Sequence, residues 1–400
     1  MRIAVAGCLP KMPAAFPLEM EENSGNMIHA RAPQRILGPK RTVEYHTQRW
    51  VLAGEKTFAD FVNKHCDHLV ISMTNSVKVN STMTKRYVNV ERMLDMYDVP
   101  ITIFGLGVRS PTDDLSQATI PDEAVSMLRR LEERAGPIGV RGEFTKKVFA
   151  ELAGVTDVQV TGCPSFFSEP SAFAALRKEL RNPRPGTYTY SGTRYERPEE
   201  RAQFLRLVHG DGIYIEPTNR DNHRAHLRAF KGVPIEVPGF ITDNGHLADP
   251  GPVRRTGLRG LADRLRRRDA PDDDLSVVTR EQLTEFYRNR YRLFRDPDQW
   301  LQFNREVVAH GFGTRFHVNM ATLLAGKPAT WVTHDTRTRE FCDFLHLPHV
   351  SLEDSAQMEP EDFRAAAKYE AMFDHLPALF DNWASYLEAH NLPYTRPNLP

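Results

Sequence analysis

The sequence predicts an α/β protein in which two parallel-sheet domains face a cleft and a helical segment follows. Short apolar runs alternate with segments of helical periodicity along the 400 residues, which is the pattern of βαβ units. A chain of this length exceeds what a single hydrophobic core usually holds, so two domains are expected. The stretch 168–198 is rich in Pro, Arg, Gly and Ser and is the predicted junction. We therefore expect domains over 1–175 and 176–358, and a tail over 359–400 that packs back on the first domain.

Each expected element follows from a local pattern. In the segment 121–135, for example, Ala124, Val125, Leu128 and Leu131 share one helical face. In the first domain, strands are predicted at 2–8, 68–72, 101–104, 138–140 and 158–160, and helices at 27–37, 58–64, 84–97, 121–135 and 143–153. In the second domain and the tail, strands are predicted at 212–216 and 329–332, and helices at 198–209, 280–290, 297–305 and 360–391.

Composition excludes several classes of protein. Lys plus Arg and Asp plus Glu number 52 each, so the net charge gives no sign of a nucleic-acid partner. A membrane-spanning helix needs an apolar run of ~20 residues, and the sequence contains none. The cysteines are scattered and form neither a CxxC motif nor a metal-type pairing with histidine: Cys8, Cys66, Cys163 and Cys342. We expect reduced thiols in a cytoplasmic protein without a metal site.

The stretch 307–350 carries the strongest chemical signal. A Gly-rich turn at 311–313 precedes Arg315 and His317, which open an amphipathic segment. A β-like run from Ala329 to Val332 then ends at His334, Asp335 and Arg337. Cations at the start of a helix and just beyond a strand are where an open α/β sheet binds anions. The pattern predicts an enzyme that holds a phosphorylated or carboxylated small molecule.

Four segments together resemble the polysaccharide pyruvyltransferase family, the ketal pyruvyltransferases, in order and spacing. They are the turn Asn23-Ser24-Gly25-Asn26, the blocks Val140–Glu143 and Val160–Ser165, the block Gly313–His317 with Ala325–Pro328, and Asp335–Thr338. The resemblance runs from about residue 3 to about residue 350. Asn26 and Arg337 depart from it, since the family often has Asp and Lys there. An arginine-rich insertion, Arg254–Arg268, lies outside the pattern.

The resemblance implies a fold similar to glycosyltransferase type B, with two Rossmann-like domains, the first on the acceptor side and the second on the donor side. It implies transfer of the pyruvyl group of phosphoenolpyruvate to sugar hydroxyls of a polysaccharide or cell-envelope precursor, with a ketal formed and phosphate released. No cofactor is implied, because phosphoenolpyruvate is the donor substrate. The acceptor is a glycan or a lipid-linked saccharide, so the enzyme is expected in the cytoplasm, with a peripheral position at the inner membrane face as one option. Arg254–Arg268 is either a contact with anionic lipid or acidic glycan, or a solvated helix face.

The chemistry implied by this donor assigns roles to named residues. A phosphate and a carboxylate on a three-carbon frame call for cations at fixed angles, which arginine supplies through paired hydrogen bonds. The predicted donor-binding residues are Arg141, Arg315 and Arg337, with the turn residues Asn23, Gly25 and Asn26. His317 is the predicted proton-transfer group, because imidazole works in both directions near neutrality. The base for the second hydroxyl is left open between Glu143 and Asp335.

Every assignment has a structural alternative. Arg141 could pair with Glu143, Asp335 could cap a helix, and Asn23–Asn26 could be a simple turn. Cys163 is read as part of a strand-ending turn and not as a nucleophile, because the sequence places no base beside it. Tyr188, Tyr190 and Tyr195 could support sugar rings or pack in the core.

Two rival functions also stay open. One is a nucleotide-sugar-dependent glycosyltransferase, and the other is a non-catalytic protein that binds a glycan or an anion. A binding protein needs Arg315, whereas only catalysis needs His317. The sequence leaves the oligomeric state undetermined.

Overall fold

The computed structural model describes residues 1–12, 23–217, 220–248 and 275–400. The predicted contact segment Arg254–Arg268 lies outside these described residues. The described strands are β1 (Ile3–Gly7), β2 (Thr42–Glu44), β3 (His68–Ser72), β4 (Asn75–Lys78), β5 (Ile101–Phe104), β6 (Gly107–Arg109), β7 (Ile138–Val140), β8 (Val158–Val160), β9 (Thr187–Ser191), β10 (Ile213–Ile215), β11 (Tyr291–Arg292), β12 (Val308–Gly313), β13 (Ala329–Thr333) and β14 (His349–Ser351).

The described α-helices surround these strands. They are α1 (Asn26–Ala30), α2 (Ala32–Leu37), α3 (Arg49–Leu52), α4 (Phe58–His65), α5 (Lys85–Leu94), α6 (Asp122–Ala135), α7 (Glu143–Ala153), α8 (Ser171–Arg181), α9 (Pro198–His209), α10 (Arg220–Phe230), α11 (Gly239–Thr242), α12 (Arg280–Asn289), α13 (Pro297–Val307), α14 (Phe316–Leu324), α15 (Thr336–Leu345), α16 (Leu352–Ser355), α17 (Pro360–Ala366) and α18 (Glu370–Ala389). In the part of the chain that the structure describes, no helix is both long and apolar enough to span a bilayer.

The strands form parallel sheets. One sheet has the order β2-β1-β3-β5, and a larger one has the order β11-β10-β9-β12-β13-β14. Two short sheets, β4-β6 and β7-β8, complete the set, and all these strand pairs run parallel. The predicted α/β class with parallel sheets is confirmed.

The predicted junction at 168–198 is regular structure over much of its length. It holds helix α8 and strand β9, and β9 lies between β10 and β12 within the larger sheet. The segment Thr187–Ser191 has the β-branched and aromatic side chains that favour strands, but the Pro- and Arg-rich flanks concealed this signal. The predicted boundary at 175/176 falls within α8.

Two predicted helices are each divided. The predicted helix 27–37 is α1 followed by α2, with Pro33 in the first turn of α2. Proline has no N–H to continue the hydrogen-bond ladder, so it favours the start of a new helix. The predicted tail helix 360–391 is α17 followed by the longer α18.

Hydrogen bonds connect the last helix, α18, to strands β5 and β7. The Tyr386 hydroxyl donates to the Ile103 carbonyl at 2.6 Å and accepts from the Gly139 N–H at 3.0 Å. Trp383 stacks on Phe167 with ring centroids 4.7 Å apart. These buried contacts join residues that are more than 200 positions apart in sequence.

Two backbone hydrogen bonds join strand β7 to Leu106, which follows β5. The Leu106 N–H donates to the Gly139 carbonyl at 3.2 Å, and the Arg141 N–H donates to the Leu106 carbonyl at 3.1 Å. Arg141 therefore follows the carboxyl end of β7, as Arg315 follows β12 and Arg337 opens the helix after β13. In parallel sheets, ligands bind beyond the carboxyl ends of the strands.

Candidate active site

A cavity of about 200 Å³ lies beyond the carboxyl ends of strands from both large sheets. All six predicted donor-binding residues line it, together with His317. The lining residues are Asn23, Gly25, Asn26, Thr74, Arg141, Thr193, Pro217, Thr314, Arg315, Phe316, His317, Val318, Arg337 and Phe341. Folding thus brings together residues from segments that lie far apart in sequence.

Arg141 is held in place on several sides. Its Nε donates to the Gly105 carbonyl at 3.1 Å, and its guanidinium lies 4.9 Å from the centre of the Phe341 ring. Only 2% of the residue is exposed. Burial, and then the positive charge of Arg337, lowers the pKa of Arg141 to about 10. A buried cation that is disfavoured by its surroundings gains free energy when an anion arrives.

Arg315 and Arg337 stand at the starts of two helices. Arg315 precedes the first turn of α14, which contains no acidic residue, and its Nε donates to the Gly192 carbonyl at 2.9 Å. The start of a helix carries a partial positive charge that adds to the guanidinium. The cavity is therefore positive on this side from both side chain and backbone.

Arg337 faces the cavity from helix α15. Its Nη2 lies 3.1 Å from an Asp335 oxygen, and its Nε is buried with no hydrogen-bond partner among the described residues. Burial lowers the pKa of Arg337, the Asp335 carboxylate opposes this, and the charges of Arg109 and Arg315 lower it further. A buried N–H donor without a partner is costly, so this atom is suited to a ligand oxygen.

The turn Asn23–Asn26, which leads into helix α1, lines the cavity. The Asn23 side-chain oxygen accepts from the Gly25 N–H at 2.9 Å. A Cβ placed on Gly25 would lie only 3.3 Å from the Cβ of His317. The turn thus has its own structural hydrogen bond and also packs directly against His317.

His317 lies between the cavity and a buried thiol. It lines the cavity, and its Nε2 lies 3.5 Å from the Sγ of Cys163. Burial, followed by the nearby His29 and Arg141, lowers the pKa of His317 well below its usual value. An anion bound in the cavity would oppose this effect and favour the protonated ring.

Sequence reasoning missed two partners of His317. The Nδ1 of His29 lies 3.8 Å from the Cys163 Sγ, and the rings of His29 and His317 have centroids 5.6 Å apart. The nitrogen and sulfur ligand atoms of the three residues all lie within 4.8 Å of one another. Among the described residues, these three could hold a metal ion, although the sequence shows no metal-type His/Cys pairing. Cys163 follows the end of strand β8, as Arg141 follows the end of β7. A position just beyond a strand end could therefore have identified Cys163 as a candidate site residue as well.

Asp335 serves as a helix cap and an ion-pair partner. Its side chain accepts from the N–H and the hydroxyl of Thr338, both at 2.8 Å, and lies close to Arg337 and His334. Burial would raise its pKa, but Arg337, His334 and the Thr338 hydrogen bonds lower it to about 2. Among the alternatives, the capping reading is the one that this geometry supports directly.

Glu143 lies apart from the small cavity. Its side chain is exposed and lines a separate cavity of about 700 Å³, together with Glu340 and Arg339. Glu340, which sequence reasoning did not select, is buried and accepts from the N–H and hydroxyl of Thr145 in the first turn of α7. The predicted role of Glu143 as a base stays a prediction, and the geometry does not bring it to His317.

Two of the three tyrosines with an open role, Tyr190 and Tyr195, belong to the core. Tyr190 and Tyr195 are 2% and 3% exposed, and the Tyr190 hydroxyl donates to the Glu200 carbonyl at 3.2 Å. They pack among the aromatic side chains of the larger sheet. The packing alternative is confirmed for these two residues.

The small cavity combines a binding site for a small polyanion with one imidazole in its lining. Arg141, Arg315 and Arg337 supply positive charge from three directions, and His317 adds a group that exchanges protons. Such a site can bind an anionic substrate and move a proton to or from it.

Of three comparisons with known proteins, one identifies a family. No protein of curated function matches the chain significantly. A solved structure of a functionally uncharacterised protein from Klebsiella pneumoniae subsp. pneumoniae NTUH-K2044 is similar at 10% identity and a TM-score of 0.37, covering 86% of this chain and 87% of that one; a likeness this weak carries no functional argument. The family description "Polysaccharide pyruvyl transferase" matches residues 23–336, which include every residue that lines the small cavity except Arg337 and Phe341. The chain belongs to the polysaccharide pyruvyl transferase family, and it is a transferase.

Proposed function

We propose that this transferase moves the pyruvyl group of phosphoenolpyruvate onto two hydroxyls of a glycan, forming a cyclic ketal and releasing phosphate. The observation that carries the proposal is the convergence of Arg141, Arg315 and Arg337 with His317 on one small cavity. Family membership supports the pyruvyl group and the glycan acceptor. The choice of donor rests on the chemistry of the cavity.

The charges of the cavity suit phosphoenolpyruvate. This donor bears a phosphate and a carboxylate on a three-carbon frame, so two separate anionic groups need partners. Arginine can pair with either group through parallel N–H donors. The Nε of Arg337, which has no partner among the described residues, and the lowered pKa of Arg141 both favour a ligand with dense negative charge. A nucleotide sugar would need a larger site, because its base and its ribose also require room.

In the proposed reaction, His317 delivers a proton to the methylene carbon of the donor. The adjacent carbon becomes electron-poor and is attacked by the first acceptor hydroxyl, which forms a C–O bond. The C–O bond to phosphate then breaks, and the second hydroxyl adds and closes the ketal. Each hydroxyl loses one proton, so the reaction returns a proton to His317 and sends the other to phosphate or solvent. The arginines stabilise the departing phosphate.

The remaining expectations complete the proposal. The two large sheets would belong to domains arranged as in glycosyltransferase type B, with the acceptor bound by the first domain and the donor by the second. The acceptor would be a polysaccharide or cell-envelope precursor reached from the cytoplasm, and Arg254–Arg268 would provide a peripheral membrane contact. No cofactor is required in this scheme. Asp335 or Glu143 would serve as the second base only if substrate binding rearranges its surroundings.

A direct assay tests the proposal. The protein is incubated with phosphoenolpyruvate and a panel of synthetic glycosides, and phosphate release is followed together with the mass of the product. We expect phosphate and ketal in equal amounts with at least one acceptor. Consumption of a nucleotide sugar, with no ketal from any glycoside, would show that the donor is wrong.

A further inference from the structure

Two buried ligand-type side chains, His29 and Cys163, have no role in the proposed reaction as written. His29 and Cys163 are 1% and 0% exposed, and both lie beside His317. His29 comes from the helix that follows the Asn23–Asn26 turn, Cys163 follows strand β8, and His317 lies in the first turn of α14. Three separate elements therefore deliver one sulfur and two imidazoles to a single point.

Two sulfur–nitrogen distances are close to those of a tetrahedral metal site. Zinc binds thiolate at about 2.3 Å and imidazole at about 2.0 Å, so a sulfur and a nitrogen on one ion lie about 3.5 Å apart. The Cys163 Sγ is 3.5 Å from His317 Nε2 and 3.8 Å from His29 Nδ1. No ligand atom of the three lies more than 4.8 Å from another. An ion could bind all three once the two imidazole nitrogens lie at the roughly 3.3 Å separation that tetrahedral coordination requires.

The surroundings select the kind of ion. Arg141 and Arg337 act electrostatically on His317, so a hard cation that binds through charge alone is disfavoured there. A soft cation gains most from the thiolate and the imidazoles and loses less to this repulsion. The Cys163 thiol would release its proton to solvent when the metal–sulfur bond forms. Since His317 lines the cavity, the cavity provides the route of entry.

We propose that His29, Cys163 and His317 form a binding site for a soft divalent cation of the zinc type, and that the bound ion switches the transferase off. The three protein ligands leave one coordination position for water or for a substrate oxygen. An ion on the Nε2 of His317 removes the lone pair that proton transfer requires. The effect on turnover rests on the proposed function, whereas the metal site itself does not.

Cobalt is the probe for the site, because thiolate–cobalt bonds give a near-ultraviolet charge-transfer band and tetrahedral cobalt gives strong visible bands. The chelator-treated full-length protein is titrated with Co²⁺. We expect one equivalent to produce both bands, Zn²⁺ to displace it, and Mg²⁺ to have no effect. Absence of a thiolate–cobalt band in the wild-type protein would overturn the metal site.

Substitutions test whether the charge-transfer band comes from the cluster of His29, Cys163 and His317. Cys163→Ser should abolish the charge-transfer band, and His29→Gln should weaken cobalt binding by more than about tenfold. The matched control is Cys66→Ser, since Cys66 is a buried cysteine in a different core cluster, and its titration should equal that of the wild type. Circular dichroism verifies that each variant is folded. If Cys163→Ser does not fold, the cobalt titration of His29→Gln tests the site instead. A band that survives in Cys163→Ser would place the ion elsewhere and refute the site.

Measurement of turnover tests the second part of the proposal, that the bound ion switches the transferase off. In the phosphoenolpyruvate assay, Zn²⁺ should inhibit the wild type and the Cys66→Ser control equally, and a chelator should restore activity. Cobalt bands without zinc inhibition would overturn the switch and leave the site standing. Cobalt bands in a protein that makes no ketal with any acceptor would instead refute the proposed function, so the two failures are distinguishable.

Discussion

The guanidinium of Arg141 occupies the space that a side chain at position 107 would need. A Cβ placed on Gly107 would lie 2.4 Å from both Cδ and Nε of Arg141. Arg141 is itself buried and bonded to the Gly105 carbonyl, so it has little freedom to withdraw. The absence of a side chain at one residue thus positions a cation of the cavity.

Gly107→Ala should therefore weaken donor binding by displacing Arg141. Loss of a charged hydrogen-bond pair costs about 2 kcal/mol, so we expect KM for phosphoenolpyruvate to rise at least ~10-fold. The control is Gly239→Ala, where the nearest atom to an added Cβ is an Asp243 oxygen at 3.2 Å. Steady-state kinetics and a thermal melt measure the two variants side by side. An unchanged KM in a folded Gly107→Ala protein would remove Arg141 from the donor site.

Arg337→Lys tests whether paired donors matter beyond charge. Lysine keeps the positive charge but lacks the second planar donor and the buried Nε that has no partner among the described residues. We expect donor affinity to fall by about tenfold with little change in the melting temperature. Arg339→Lys is the matched control, because Arg339 is about half exposed and pairs with Asp113 on another face of α15. Equal effects in the two variants would contradict a specific role for Arg337.

His317→Gln tests proton transfer. Glutamine has a similar size and can form hydrogen bonds, but it cannot act as an acid or a base. We expect kcat to fall by about 100-fold or more, with the dissociation constant for phosphoenolpyruvate nearly unchanged. Single-turnover kinetics and calorimetric titration separate the two quantities. Full turnover in this variant would exclude His317 from the mechanism.

Glu340 should make folding stability depend on pH. Burial raises the pKa of its carboxyl from 4.5 to about 7, against the opposing influence of Arg141 and the Thr145 hydrogen bonds. The folded protein therefore holds this proton more tightly than the unfolded chain does. The stabilisation is complete below about pH 4.5 and is lost as the pH rises to about 7, with a change of up to about 3 kcal/mol.

Glu340→Gln should flatten this part of the pH profile and make the protein relatively more stable above pH 7. Glutamine keeps an oxygen that can accept from Thr145 and carries no charge to bury. Glu353→Gln, which alters an exposed carboxylate, should leave the profile unchanged. Urea unfolding between pH 4 and pH 8 measures the free energies, and parallel profiles for wild type and Glu340→Gln would disprove the assignment.

Short-range sequence patterns predict much of the fold. The strands His68–Ser72 and Ile101–Phe104 and the helix Glu143–Ala153 have the predicted bounds, because apolar runs and helix-capping glycines are local signals. Strand β9 escapes a local prediction because Pro- and Arg-rich flanks surround its short β-branched and aromatic run. The expected single helix 27–37 is instead α1 and α2, because Pro33 starts a new helix.

By itself, the sequence determined the parallel α/β class, the family and seven of the fourteen described residues that line the cavity. Cations beyond strand ends and the order of short motifs are patterns that short-range spacing reveals. Only the tertiary structure decided their neighbours. It placed Cys163 and His29 against His317, made room for Arg141 at Gly107, put Glu143 in another cavity and buried Tyr190. The physical reason is that burial and contact depend on how distant strands are arranged in space, and no local sequence pattern specifies that arrangement.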